Sequence, residues 1–175
     1  MRTFVALELP ERFADDVAAL AHRLEMQVDG RFPPRETHHL TLAFTGNVDE
    51  RTLASLVDAV ERACKGRAGV ALRAEGLGTF GRRSDATLWL GIAPDQSLME
   101  LAAAIRDELS AHGVSFDGKA FKPHVTLARR TRISTGTLAD LAFPLPDTAR
   151  RVTVFKSTLT SDGAKYKPLH TVLLA

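Results

Sequence analysis

The chain has 175 residues, 45% of them hydrophobic and 25% charged, which suits one substantial core, or two small lobes sharing one, in a soluble globular protein. No low-complexity tract points to disorder, and no apolar run approaches the roughly 20 residues a membrane-spanning helix requires. The formal net charge of +2 neither demands nor excludes an anionic partner, and the single cysteine, Cys64, rules out an internal disulfide and a Cys-rich metal cluster. A lone cysteine fits a reducing cytoplasm.

Residues 3–9 form a β-rich run ended by Pro10; Glu8 and Pro10 interrupt it, so it reads as a first strand and not as a signal peptide. Phe13, Val17, Leu20, Leu24 and Val28 follow at helical spacing, and Gly30, Pro33 and Pro34 mark a loop. Residues 39–44 read as a short strand closed by Gly46. Asp49 is a suitable N-cap for a second helix with Leu53, Leu56, Val57, Val60 and Cys64 on one face. Residues 70–77 read as a strand, and 78–85, with Gly78 and Gly81, as a loop or hinge. Residues 86–92 alternate as a strand. Pro94 and Asp95 open a helix with Leu98, Leu101, Ala102, Ile105 and Leu109 on a stripe, and Gly113 stops it. Residues 124–128 form the next strand, and 152–159 and 169–174 two more.

Strand, helix, loop and a strand opening with His-x-Thr therefore occur twice, over residues 3–46 and 86–130. We read this as an internal duplication within a single domain spanning 1–175. A doubly wound parallel sheet would favour a Gly-rich phosphate loop after the first strand, and there is none. The expected fold is α+β: two pseudo-symmetric lobes with antiparallel sheets facing a central cleft and helices outside.

The first motif is His39-Leu40-Thr41-Leu42 and the second His124-Val125-Thr126-Leu127. Strand side chains alternate faces, so each motif sets an imidazole beside a hydroxyl on one face and two apolar residues on the other. If the halves meet about a pseudo-two-fold, two imidazoles and two hydroxyls surround one tetrahedral anion. That set suits phosphoryl transfer through a cyclic phosphate. A neutral histidine takes a proton from water, a protonated one supplies the departing ribose oxygen, and the hydroxyls donate to non-bridging oxygens. One such motif alone would be weak; two, each closing an equivalent unit, argue for chemistry.

His38 is expected on the surface at the start of the strand, and His22, His112 and His170 in structural roles. Lys119, Lys122, Arg129, Arg130 and Arg132 cluster around the second motif, either as a solvated face or as a rim that attracts an RNA backbone. Strict alternation puts Arg130 on the face of His124 and Thr126 and Arg129 on the other. Phe44, Trp89, Phe121 and Tyr166 are candidates for base stacking; each is more often core than platform.

At these residues the chain resembles the 2H phosphoesterase superfamily, and most closely its RNA 2′,3′-cyclic phosphodiesterase branch, historically called 2′-5′ RNA ligase. The resemblance is carried by Arg2-Thr3-Phe4-Val5-Ala6-Leu7, by His39-Leu40-Thr41-Leu42-Ala43-Phe44-Thr45-Gly46 and by Phe121-Lys122-Pro123-His124-Val125-Thr126-Leu127-Ala128-Arg129. Residues 157–166 add a C-terminal strand-turn-strand. It implies a bilobal fold and hydrolysis of a terminal 2′,3′-cyclic phosphate to a 2′-phosphate without metal or other cofactor. His39 would be proton donor and His124 acceptor; Thr41 and Thr126 would bind phosphate. Arg129, Arg130, Phe44 and Tyr166 are RNA-contact candidates. The expected partner is RNA with a cyclic phosphate end, the expected state a cytoplasmic monomer, with reversible 2′-5′ ligation as a secondary activity. Thr45 and Phe32 depart from the family, which usually has leucine and often tryptophan there. Three alternatives stay open: a diesterase for 2′-5′ oligonucleotides or small cyclic nucleotides, a non-catalytic nucleotide-binding module, and a zinc enzyme, which would need more ligands than two histidines.

Overall fold

The computed structural model describes residues 1–133, 138 and 141–175. Ten strands and three α-helices follow in the order β1 (Arg2–Glu8), α1 (Glu11–Glu25), β2 (Asp29–Arg31), β3 (His39–Asn47), α2 (Glu50–Cys64), β4 (Val70–Leu72), β5 (Ala74–Arg82), β6 (Asp85–Ile92), α3 (Gln96–Ala111), β7 (His124–Arg132), β8 (Asp147–Ala149), β9 (Arg151–Thr160) and β10 (Gly163–Leu173) among the described residues. The fold is α+β and every strand pairing is antiparallel.

Each helix forms where the apolar spacing predicts it. Phe13, Val17, Leu20 and Leu24 of α1 are buried, as are Leu56, Val60 and Cys64 of α2 and Leu98, Leu101, Ala102, Ile105 and Leu109 of α3. Asp49 caps α2 by accepting from the Thr52 amide at 2.7 Å. Gly113, at φ +70°, ends α3 in the left-handed conformation that glycine adopts without penalty. Val28 lies beyond the end of α1, still buried.

The main sheet runs β10-β9-β1-β3-β7-β6-β5, with β2 added alongside β7. Its two halves are β10-β9-β1-β3 and β7-β6-β5, and they are joined edge to edge by one registered pair, Leu40 opposite Val125. Both side chains are fully buried. Each contributes about 1.5–3 kcal/mol of apolar burial, so the seam between the lobes is held by core packing more than by a hydrogen-bond ladder. The core lies between one face of this sheet and the helices. The opposite face is open.

One predicted loop is sheet instead. Residues 78–85, expected as a hinge, complete β5 and turn at Arg83 and Ser84 into β6. In the sequence Gly78 and Gly81 look like breakers. Gly78 is there for space: an added Cβ would sit 2.1 Å from the Trp89 ring, which lies across it. Gly81, at φ +90°, takes up a positive backbone angle beside the turn. Residues 29–31, read as loop, pair with β7 as β2.

Candidate active site

His39 and Thr41 lie on the open face of β3, with Leu40 and Leu42 buried behind them; His124 and Thr126 lie on the open face of β7, with Val125 and Leu127 buried. Simple alternation ends there. Against β1, Thr41 pairs with Ala6 while Ala43 pairs with Val5; against β6, Thr126 pairs with Trp89 while Ala128 pairs with Leu88. Each motif strand therefore carries an extra residue just after its threonine, a β-bulge. Leu42 and Ala43 are both buried, as are Leu127 and Ala128. The next residue in each case returns to the open face: Phe44 in the first lobe, Arg129 in the second.

This corrects the placement of the arginines. Arg129, expected on the far face, lines the cleft. Arg130, expected beside His124, occupies an irregular position at φ +51°, is exposed, and lies outside the cleft lining. The signal was present in the sequence: both motifs continue His-x-Thr-Leu-Ala, and two consecutive apolar residues are what a bulge in a half-buried strand requires.

The cleft has a volume of about 480 Å³ and contains His39, Thr41, Phe44, His124, Thr126, Arg129 and Tyr166 together, so the residues singled out from both motifs share one site. Arg2, Asp117, Ser157 and Leu159 also line it and were not anticipated. Arg2, Ser157 and Leu159 come from the two terminal stretches that carry the family resemblance, and Asp117 from the loop before β7. The first lobe's side is aromatic. Phe4 stacks on His39 with centroids 4.8 Å apart, Tyr166 meets His39 edge-on at 5.3 Å, and Phe155 stacks on Phe4 at 5.3 Å. On the second lobe's side Phe80 meets His124 edge-on at 5.2 Å, and Trp89 lies 5.9 Å from it. Phe121 is packed against the core.

Both imidazoles are oriented in the same way. Nδ1–H of His39 donates to the Thr37 carbonyl at 2.7 Å, and Nδ1–H of His124 to the Lys122 carbonyl at 2.6 Å. Each Nε2 is thereby left for the cleft. That of His39 is 2.9 Å from the Thr41 hydroxyl, which donates to it while the ring is neutral. Burial pushes His39 down to about 4, partly opposed by the Thr37 hydrogen bond, with the charges of His38, Arg129 and His124 adding to the fall. His124 is also lowered, by burial first and then by Arg129 and Lys122. Both rings are neutral in the unliganded protein at pH 7, and an anion in the cleft raises both.

His38, expected on the surface, is 7% exposed. Alternation turns it away from His39, and that side of the sheet is covered, so the ring is buried with neither nitrogen hydrogen-bonded to a described residue. His170 pairs with Glu61 at 2.6 Å and His112 donates to the Glu108 carbonyl; His22 is exposed; none lines the cleft. Thr45 is buried, its hydroxyl 2.6 Å from that of Thr3, and Phe32 packs on the core, so both departures from the family fall outside the cleft lining. No three His, Cys, Asp or Glu side chains gather at metal-ligand spacing among the described residues. No helix there is long and apolar enough to cross a membrane.

A family model described as the 2′-5′ RNA ligase superfamily matches residues 9–157. The chain belongs to the 2′-5′ RNA ligase superfamily. The chain is 33% identical to the RNA 2′,3′-cyclic phosphodiesterase of Thermotoga maritima, over 97% of this chain and 94% of that one. It is 26% identical to the enzyme of the same name from Escherichia coli K12, over 96% and 93%. The crystal structure of E. coli LigT in apo form superposes with a TM-score of 0.83 at 26% identity, covering 99% of this chain and 96% of that one. LigT complexed with 3′-AMP gives 0.79 at 26%, covering 99% and 96%. The superfamily's two-lobed α+β fold is thus the fold of this chain.

Proposed function

We propose that this chain is a phosphodiesterase that hydrolyses the 2′,3′-cyclic phosphate at RNA ends to a 2′-phosphate. The observation that carries the proposal is the convergence of His39, Thr41, His124 and Thr126 from two strands on one cleft. The names of the relatives and the 3′-AMP complex of LigT support the substrate class.

The geometry accommodates the chemistry as follows. A cyclic phosphate enters between the two Nε2 atoms, with Thr41 and Thr126 hydroxyls and Arg129 around its non-bridging oxygens. His124 takes a proton from water as the water oxygen bonds to phosphorus. The bond from phosphorus to O3′ breaks, and His39 donates its proton to that oxygen. The electron pair of the broken bond stays on O3′, and the 2′-phosphate remains. Removing His39 and His124 from water makes their interaction with the anion stronger than at an exposed site. His39, held near 4 mainly by burial, becomes a usable acid only when the phosphate anion raises it. The terminal base has Phe44 and Tyr166 for contact. No cofactor enters the scheme. The protein acts as a single two-lobed domain, a monomer, in the cytoplasm, and ligation is the same ring opening with the 5′-hydroxyl of a second RNA attacking phosphorus in place of water, so that O3′ leaves protonated and a 2′-5′ bond forms; that step is reversible.

The test is incubation of the protein in EDTA with a short RNA ending in a 2′,3′-cyclic phosphate, the product resolved against 2′- and 3′-phosphate standards. Conversion to the 2′-phosphate is expected. A 3′-phosphate would reverse the leaving group, and turnover of a 2′-5′ linked oligonucleotide alone would replace the substrate.

A further inference from the structure

The second lobe's side of the open face continues past the cleft. Arg129 lies in the cleft, and across the β2–β7 pairing it stands opposite Arg31. Two residues back along β2, Asp29 stands opposite Arg132. Directly paired residues share a face, and i, i+2 residues of one strand do too, so Arg31, Asp29 and Arg132 extend the face of Arg129. Gly30 confirms the orientation from the other side: an added Cβ there would meet buried Thr131 at 2.6 Å. On the neighbouring strands Ala86 is buried, which turns Asp85 and its partner Arg82 to the open face as well. Four arginines thus share this surface with two carboxylates, all exposed. None of the four guanidinium groups has a side-chain hydrogen bond or an ion pair with a described residue.

Four uncommitted arginines on a sheet surface that runs out of a cleft of about 480 Å³ match a polyanion, not a single phosphate. Resting on the function proposed above, we propose that the β2–β7–β6–β5 surface is a track for the RNA strand on the 5′ side of the cyclic phosphate. Arg31, Arg132 and Arg82 contact successive backbone phosphates there. The aromatic first lobe takes the terminal nucleoside, and Asp29 and Asp85 limit the grip so that the product leaves. The partner is single-stranded, because the terminal nucleotide must enter the cleft unpaired. The track reads backbone, not sequence.

The test compares a mononucleoside 2′,3′-cyclic phosphate with a hexanucleotide carrying the same end, using wild type and the double variant Arg31→Ala/Arg132→Ala. Neither residue lines the cleft. The variant is expected to keep mononucleotide kcat/KM within about twofold and to lose about tenfold on the hexanucleotide, mostly in KM. The wild-type salt slope for the hexanucleotide should flatten by roughly 0.7 for each lost phosphate contact in the variant. Equal losses on both substrates, or no loss on either, would overturn the track. Fluorescence anisotropy with a labelled hexanucleotide reads the track without turnover. If wild type cleaves neither substrate, the catalytic reading fails, while a weaker, less salt-dependent grip by the variant still supports the track and an unchanged one still defeats it.

Discussion

The two histidines are chemically alike and environmentally different. His39 is pushed to about 4, mainly by burial, while His124 is lowered without so large a shift. The kcat/KM profile reports the free protein, where the base must be neutral and the acid protonated. With both groups lowered, its maximum should lie on the acid side of about 6.5. The kcat maximum should lie at higher pH, because bound phosphate raises both rings. Coincident maxima above pH 7 would show that the cleft does not lower the histidines. Arg129 depresses both. Arg129→Ala should therefore shift the kcat/KM profile to higher pH while raising KM, and a raised KM without that shift would leave Arg129 as a binding group only. The same burial has a folding consequence. A histidine whose folded value lies below its unfolded one binds more protons when unfolded, so stability is full above about 6.5 and falls as pH drops toward His39's value of about 4. That loss is on the order of 3 kcal/mol. His39→Phe, measured by urea unfolding at pH 7 and pH 4.5, should lose less stability across the interval than wild type. At this scale the paired motifs were legible because alternation alone puts histidine with threonine. Arg129 and His38 were not: one depends on a bulge, the other on what covers the far face.

Elements were legible wherever a stripe of apolar residues had to meet one core, as in the three helices. The sequence pattern misleads where glycine serves packing. Gly78 looks like a breaker in sequence, yet it sits mid-strand because the Trp89 ring occupies the volume of its missing side chain. Trp89 in turn lies 5.9 Å from His124, so this glycine is coupled to the second motif. Gly78→Ala should displace the ring, cost about 1–3 kcal/mol by overpacking, and change the emission of the chain's one tryptophan. Activity should fall in a protein that still folds. Unchanged emission and activity would mean the strands move apart instead and leave the site alone. The bulges carry the same lesson. The Leu-Ala pair after each threonine breaks the two-residue period, and reading it as a bulge restores Phe44 and Arg129 to the cleft.

In the whole molecule, two half-sheets, each carrying one His-x-Thr strand, meet at Leu40 and Val125. The sequence contains the two units but not the seam, because one pairing between residues so far apart leaves no local pattern. The seam matters because it sets the two histidines across one cleft from strands with no other registered pair between them. If the two act as one catalytic unit, their effects cannot be additive. The measurement that tests this most directly is kcat on a cyclic-phosphate-ended RNA for His39→Ala, His124→Ala and the double variant. Each single change should cost about 10²–10⁴-fold, and the double variant should be little worse than the poorer single one. Losses that multiply in the double variant, or one histidine that can be removed without effect, would contradict a paired acid and base.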